Sequence, residues 1–196
     1  MYNKVVLIHG IGGVNREVYF PALKQYLENC GVEVLMPSFG GYKDGTTYSK
    51  WENCFDKEIL QKLDKNTIIV AQSMGTQFSV KYIAKRKPEI GLYISTAGPK
   101  NVLDMKPEIG EKREVYKQTA QQFVPTESDF EIFKNLPFEK FSFYSNDDNF
   151  FTQENLEHYA EAIGATKYFL KDKSHFNKEE IAYGFKELEE FIKNRL

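Results

Sequence analysis

Thr67-Ile68-Ile69-Val70-Ala71-Gln72-Ser73-Met74-Gly75-Thr76-Gln77-Phe78 decides the fold. It opens as a β-branched run, the composition of a buried strand, and closes as the start of a helix. A strand turning sharply into a helix strains the residue at its tip, and only small neighbours leave room for the turn. Ala71 and Gly75 are such neighbours, and Ser73 is the residue at the tip. The turn exposes the Ser73 hydroxyl and puts the Met74 N–H at a helix N-terminus, where partial positive charge collects. Five letters carry limited weight. A match of this kind arises by chance in roughly one chain in ten of this length, given glycine at about 7% of residues. The competing reading is a turn with a helix-capping serine.

The surrounding pattern alternates strand and helix. Val5–Ile8 reads as the first strand, followed by the loop His9-Gly10-Ile11-Gly12-Gly13. A helix with Pro21 in its first turn follows, carrying Ala22, Leu23, Tyr26, Leu27 and Cys30 on one face, and Gly31 stops it. Val32–Met36 is the second strand, and 39–47 a long polar loop. Tyr48, Trp51, Phe55 and Ile59 recur at helical spacing. The third strand, 67–71, precedes a helix at 76–85. The fourth strand is 91–95, the fifth 141–145 and the sixth 167–170. Between the fourth and fifth lies a less regular insertion, about 100–137, with a capping pair at Ser128 and Glu131. Thr152 starts a helix that Gly164 ends. Asn177 and Glu180 cap a last helix with Ile181, Phe185, Leu188 and Ile192 on its buried side.

Apolar strands separated by helices predict a parallel sheet covered on both faces, an α/β fold in one domain spanning 1–196. In such sheets the functional loops lie beyond the strands' carboxyl ends. There the sequence places His9, Ser73, Asp147 with Asp148, and His175. A serine hydroxyl needs a base, and the base needs an orienting group. Of the three histidines, His158 falls within a charged helix and reads as surface. His9 sits beside a strand end and reads as a brace for the glycine loop. His175, in the loop after the sixth strand, is where a base has to be. Neighbouring side chains in an extended segment point apart, so at most one of Asp147 and Asp148 can face it. The order Ser, Asp, His suits a triad built on a parallel α/β sheet. The glycine loop fits a dinucleotide site poorly: Asn15 stands where the third glycine belongs, and no acidic residue follows the second strand. It suits an oxyanion loop, with the Ile11 N–H aimed at the same point as that of Met74.

Composition narrows the alternatives. A net charge near −2 argues against nucleic acid as the main partner. No apolar run approaches membrane-spanning length. Met1 to Lys4 runs straight into a strand, so the expectation is a cytoplasmic protein without a secretory leader. Cys30 and Cys54 read as two reduced, buried thiols. Phe39, Trp51, Phe150, Phe151 and Phe176 are candidates for an apolar acyl site or for plain packing.

His9-Gly10 with Gly13, Ala71-Gln72-Ser73-Met74-Gly75, Ser145-Asn146-Asp147-Asp148 and Ser174-His175-Phe176 together resemble the α/β-hydrolase superfamily. Within it, the short chain and the paired aspartates are similar to small serine hydrolases related to the retinoblastoma-binding-protein hydrolases and their compact bacterial relatives. The resemblance implies a six-stranded sheet in the order 2-1-3-4-5-6 within a three-layer α/β/α sandwich. It implies Ser73 as nucleophile, His175 as base and Asp148 as acid, since the family's acid stands a few residues before an apolar pair, here Phe150-Phe151. It also implies an oxyanion hole from Ile11 and Met74, no metal or organic cofactor, and a small-molecule ester or related acyl substrate. Ala71 replaces the usual first glycine, and Thr152 stands where relatives often carry proline. The insertion at 100–137 corresponds to a lid. A vestigial triad in a binding module or a lyase, and a nucleotide-binding domain, are the rival readings.

Overall fold

The computed structural model describes residues 1–13 and 17–196. Asn15 therefore lies outside the described residues. Six parallel strands form one sheet in the order β2-β1-β3-β4-β5-β6. They are β1 (Lys4–Ile8), β2 (Glu33–Leu35), β3 (Thr67–Gln72), β4 (Leu92–Thr96), β5 (Glu139–Ser145) and β6 (Thr166–Leu170). The helices between them are α1 (Phe20–Asn29), α2 (Tyr48–Glu58), α3 (Met74–Arg86), α4 (Lys112–Ala120), α5 (Glu127–Lys134) and α6 (Gln153–Ala162), and α7 (Lys186–Lys193) follows β6. This is the α/β/α sandwich and the strand order expected from the sequence.

Side chains alternate across each strand, so the sheet carries two cores. Val5 and Leu7 of β1, with Ile68 and Val70 of β3, face Leu23 and Leu27 of α1 and Leu188 and Ile192 of α7. Val6 and Ile8, with Ile69 and Ala71, face Phe55 of α2, Phe78 of α3, Phe133 of α5 and Leu156 of α6. β3 is buried along its whole length, as a central strand covered on both faces must be. At the far edge β6 is largely exposed, so it lacks the continuous apolar run of the inner strands.

Several boundaries shift for local reasons. The capping box of α5 is Thr126 with Asp129, not Ser128 with Glu131: Thr126 Oγ1 accepts the Asp129 N–H at 3.1 Å. The last helix is two pieces. A 3₁₀ turn over Glu179–Tyr183 ends at Gly184, whose φ of 152° breaks the run, and α7 begins only at Lys186; neither piece has a side-chain cap. Phe185 and Ile181 are buried as expected. Cys30 is exposed at the end of α1 and Cys54 is half-buried in α2, both free, so the expected burial of the two thiols does not hold. Among the described residues no helix is long and apolar enough to cross a membrane.

Candidate active site

β3 ends at Gln72 and α3 begins at Met74, leaving Ser73 alone in the turn with φ 51° and ψ −119°. A non-glycine residue is strained there. Its side chain makes no cap bond to α3, which removes the helix-capping reading. The turn is packed against the end of β1. A methyl group on Gly75 would sit 2.5 Å from the His9 carbonyl oxygen and 2.6 Å from that of Ile8, so only glycine lets α3 approach. Ser73 N–H donates to the Thr96 carbonyl at 3.0 Å, tying the turn to β4 as well.

His9 braces the loop after β1. It is fully buried; Nδ1 meets the Gly10 carbonyl at 2.7 Å, and Nε2 accepts the Phe39 N–H at 3.1 Å. Those two partners define a neutral ring protonated on Nδ1. Burial drives its pKa down to about 4, against a smaller upward pull from the Gly10 carbonyl. A neutral, doubly bonded histidine is a clamp and not a base.

The adjacent aspartates divide. Asp148 is 1% exposed; its Oδ2 lies 2.7 Å from His175 Nδ1, while its Oδ1 accepts the N–H groups of Phe150 at 2.7 Å and Phe151 at 2.9 Å. Asp147 turns the other way. It accepts from Ser145 Oγ and Ser174 N–H, each at 2.7 Å, and pairs with Lys178 Nζ at 2.8 Å. Burial opposes its ionisation, but these bonds outweigh burial and hold its carboxyl at about 2.

The end of β5 thereby organises the loop that carries His175. Asn146, Ser145 and Asp147 side chains accept the consecutive N–H groups of Asp172, Lys173 and Ser174. That anchoring lets Asp172, Ser174 and Phe176 hold positive φ values near 55°. Gln72 Nε2, at the end of β3, donates to the His175 carbonyl at 2.9 Å. Phe150 stacks on the imidazole with centroids 4.5 Å apart.

Ser73, His175, Ile11 and Phe150 line one cavity of about 220 Å³. Among the described residues no hydrogen bond joins Ser73 Oγ to the imidazole; such contacts are often loose before substrate binds. Since Nδ1 is turned to Asp148, Nε2 is the ring nitrogen left for other chemistry. Met74 N–H, the first of α3, follows Ser73 directly. Of the aromatic candidates only Phe150 reaches the cavity. Phe39 and Trp51 pack on each other and on Phe78 in the core, Phe151 is buried with its ring 5.7 Å from the His175 imidazole, and Phe176 stacks on Phe185 behind the sheet. His158 is exposed on α6. Sequence reasoning passed over Glu17, Tyr42, Lys43, Lys112 and Tyr116, which also line the cavity. The long polar loop after β2 was the only signal for Tyr42 and Lys43. Among the described residues no group of three or more His, Cys, Asp or Glu side chains is placed to hold a metal ion.

Known structures match this architecture. The ydeN gene product from B. subtilis superposes with a TM-score of 0.79 at 18% identity, covering 97% of each chain. Est1E from Butyrivibrio proteoclasticus gives 0.68 at 16%, covering 99% of this chain and 88% of that one. The thioesterase domain from the curacin biosynthetic pathway gives 0.67 at 16%, covering 98% and 91%. At such identities the likeness establishes the fold. A comparison with curated proteins finds no significant match. The sequence model of the family described as serine hydrolase matches residues 5–194, nearly the whole chain. The chain belongs to the serine hydrolase family and has the α/β-hydrolase fold.

Proposed function

We propose that this serine hydrolase cleaves an ester or a related acyl substrate through Ser73, His175 and Asp148. The observation that carries the reading is the 2.7 Å bond between Asp148 Oδ2 and His175 Nδ1, with the imidazole and the strained Ser73 on the wall of one cavity. Carboxylesterases and a thioesterase domain among the similar structures support acyl transfer as the reaction class.

Ser73 Oγ attacks the acyl carbon and His175 Nε2 takes its proton. Asp148 holds the Nδ1–H tautomer and stabilises the imidazolium as it forms. The N–H groups of Ile11 and Met74 receive the oxyanion; the second gains from the positive end of α3. The imidazolium then gives its proton to the leaving group, and an acyl-Ser73 ester remains. Water, deprotonated by His175, releases the acid. Phe150 stacked on the ring limits its rotation between these steps. The segment at 100–137 contributes Lys112 and Tyr116 to the cavity wall, as a partial cover would.

A panel of p-nitrophenyl esters of rising acyl length tests this reading, with Ser73→Ala as control. Turnover that Ser73→Ala abolishes supports it. Turnover that persists in Ser73→Ala, or none with any ester, contradicts it.

A further inference from the structure

Glu17 stands in the catalytic cavity and has no part in the mechanism above. Its Oε1 accepts the Gly10 N–H at 2.6 Å, one residue before the proposed oxyanion donor Ile11. A methyl group placed on Gly10 would lie 2.9 Å from that oxygen and 3.2 Å from Ser73 Cβ. The carboxyl and the nucleophile therefore flank the same point. Among the described residues nothing donates to Oε2, and no cation pairs with the group.

A carboxyl in this position is expensive. Burial pushes its pKa up to about 7, against downward pulls from the Gly10 N–H and the positive charge of His175. Glu17 is half-buried, and a carboxylate so placed is stabilised when a positive partner or further hydrogen bonds replace the lost water. One bond is already made, and among the described residues no cation is paired with the carboxyl, although Lys43, Lys112 and His175 line the same cavity. A cation entering with the substrate supplies the partner that the described residues lack.

We infer that Glu17 is a specificity residue, whose free carboxylate oxygen receives a positively charged nitrogen that the substrate carries close to its scissile acyl group. The inference rests on the reading of Ser73 as the nucleophile. It favours cationic acyl compounds over neutral ones of the same shape, with the charge on either the acid or the alcohol side.

Other charged and titratable groups face the same cavity. His175 comes from the loop after β6, Lys43 and Tyr42 from the loop after β2, and Lys112 and Tyr116 from α4. Lys43 and Lys112 are exposed, so water screens them. His9, behind Gly10, is neutral above about pH 4. A permanent cation on the substrate favours the ionised form of Glu17. Preference for a cation over a neutral isostere therefore grows as pH rises from 6 to 8.

The test uses two isosteric pairs that differ only by a quaternary nitrogen in place of a carbon. Choline butyrate is set against 3,3-dimethylbutyl butyrate, and the p-nitrophenyl ester of glycine betaine against that of 3,3-dimethylbutyric acid. The readout is the cationic-to-neutral ratio of kcat/KM. Glu17→Gln keeps an acceptor for the Gly10 N–H and removes the charge. For at least one pair, the ratio at pH 8 is expected to be about tenfold or more higher in the wild type than in Glu17→Gln. In the wild type alone it is expected to rise between pH 6 and pH 8, a measurement that stands even if the variant fails to fold. Equal ratios in the two proteins, or a wild-type ratio flat with pH, overturn the inference. So does an equal loss on both members of each pair, which would mean that Glu17 only props the loop. Ser73→Ala separates the two readings. Ser73-dependent hydrolysis with no charge preference removes the Glu17 inference alone, whereas hydrolysis surviving Ser73→Ala removes the nucleophile as well.

Discussion

Asp148 and His175, 27 residues apart in the chain, are joined at 2.7 Å between Oδ2 and Nδ1. Asp147, one peptide unit away, bonds instead to the backbone of Ser174 and to Lys178. One aspartate holds the ring and the other holds the loop that carries the ring. Asp148→Asn is expected to lower kcat on the best p-nitrophenyl ester by as much as about 10⁴-fold, through the wrong imidazole tautomer. Asp147→Asn is expected to lower it less than about tenfold. Steady-state kinetics on both variants check the division, and the reverse order of damage would exchange the two roles.

The backbone strain at Ser73 is measurable. A residue at φ 51° and ψ −119° costs on the order of 1–3 kcal/mol unless it is glycine. Ser73→Gly is expected to unfold at a higher temperature than Ser73→Ala, since both lose the hydroxyl and only one relieves the strain. Scanning calorimetry of the two variants gives the comparison directly.

Gly75 is the opposite case, a position set by contact. The 2.5 Å and 2.6 Å approaches to the carbonyls of His9 and Ile8 are to backbone, which cannot swing aside. Gly75→Ala is expected to cost about 1–3 kcal/mol. That is a fall in Tm of roughly 2–12 °C for a chain of this size, and equilibrium denaturation measures it.

His9 makes stability depend on pH. Its folded pKa, about 4, lies below the ordinary 6.5, so between these values the unfolded chain binds more protons. The stabilisation is complete above pH 6.5 and is lost as pH falls through 6 and 5 towards 4. The amount is on the order of 3 kcal/mol. His9→Gln is expected to be less stable at pH 7 but to show a shallower fall over that window. Urea denaturation of both proteins between pH 4 and pH 7.5 tests the sign.

The parts of the molecule legible in the sequence are those written in local residue types. Val5–Ile8 and Thr67–Ala71 announced buried strands because both faces are covered and, Thr67 apart, every side chain is apolar. Ala71, Ser73 and Gly75 announced the turn because its sterics admit few alternatives. The strand order came through the family resemblance. What stayed hidden depends on distant contacts. Phe39, Trp51 and Phe151 are aromatic like Phe150, yet only tertiary packing sends one of them to the cavity and the rest to the core. Glu17 gave no local sign, since its meaning comes from Gly10 and Ser73 folding around it. The two-piece end of the chain turned on Gly184, a single residue inside an otherwise helical apolar pattern.

Reaction with a fluorophosphonate, followed by peptide mass spectrometry, tests the nucleophile most directly. One adduct is expected on the folded protein, located on Ser73, absent from Ser73→Ala and formed more slowly in Asp148→Asn. A folded protein that leaves Ser73 unmodified, or takes the label at another residue, would contradict it.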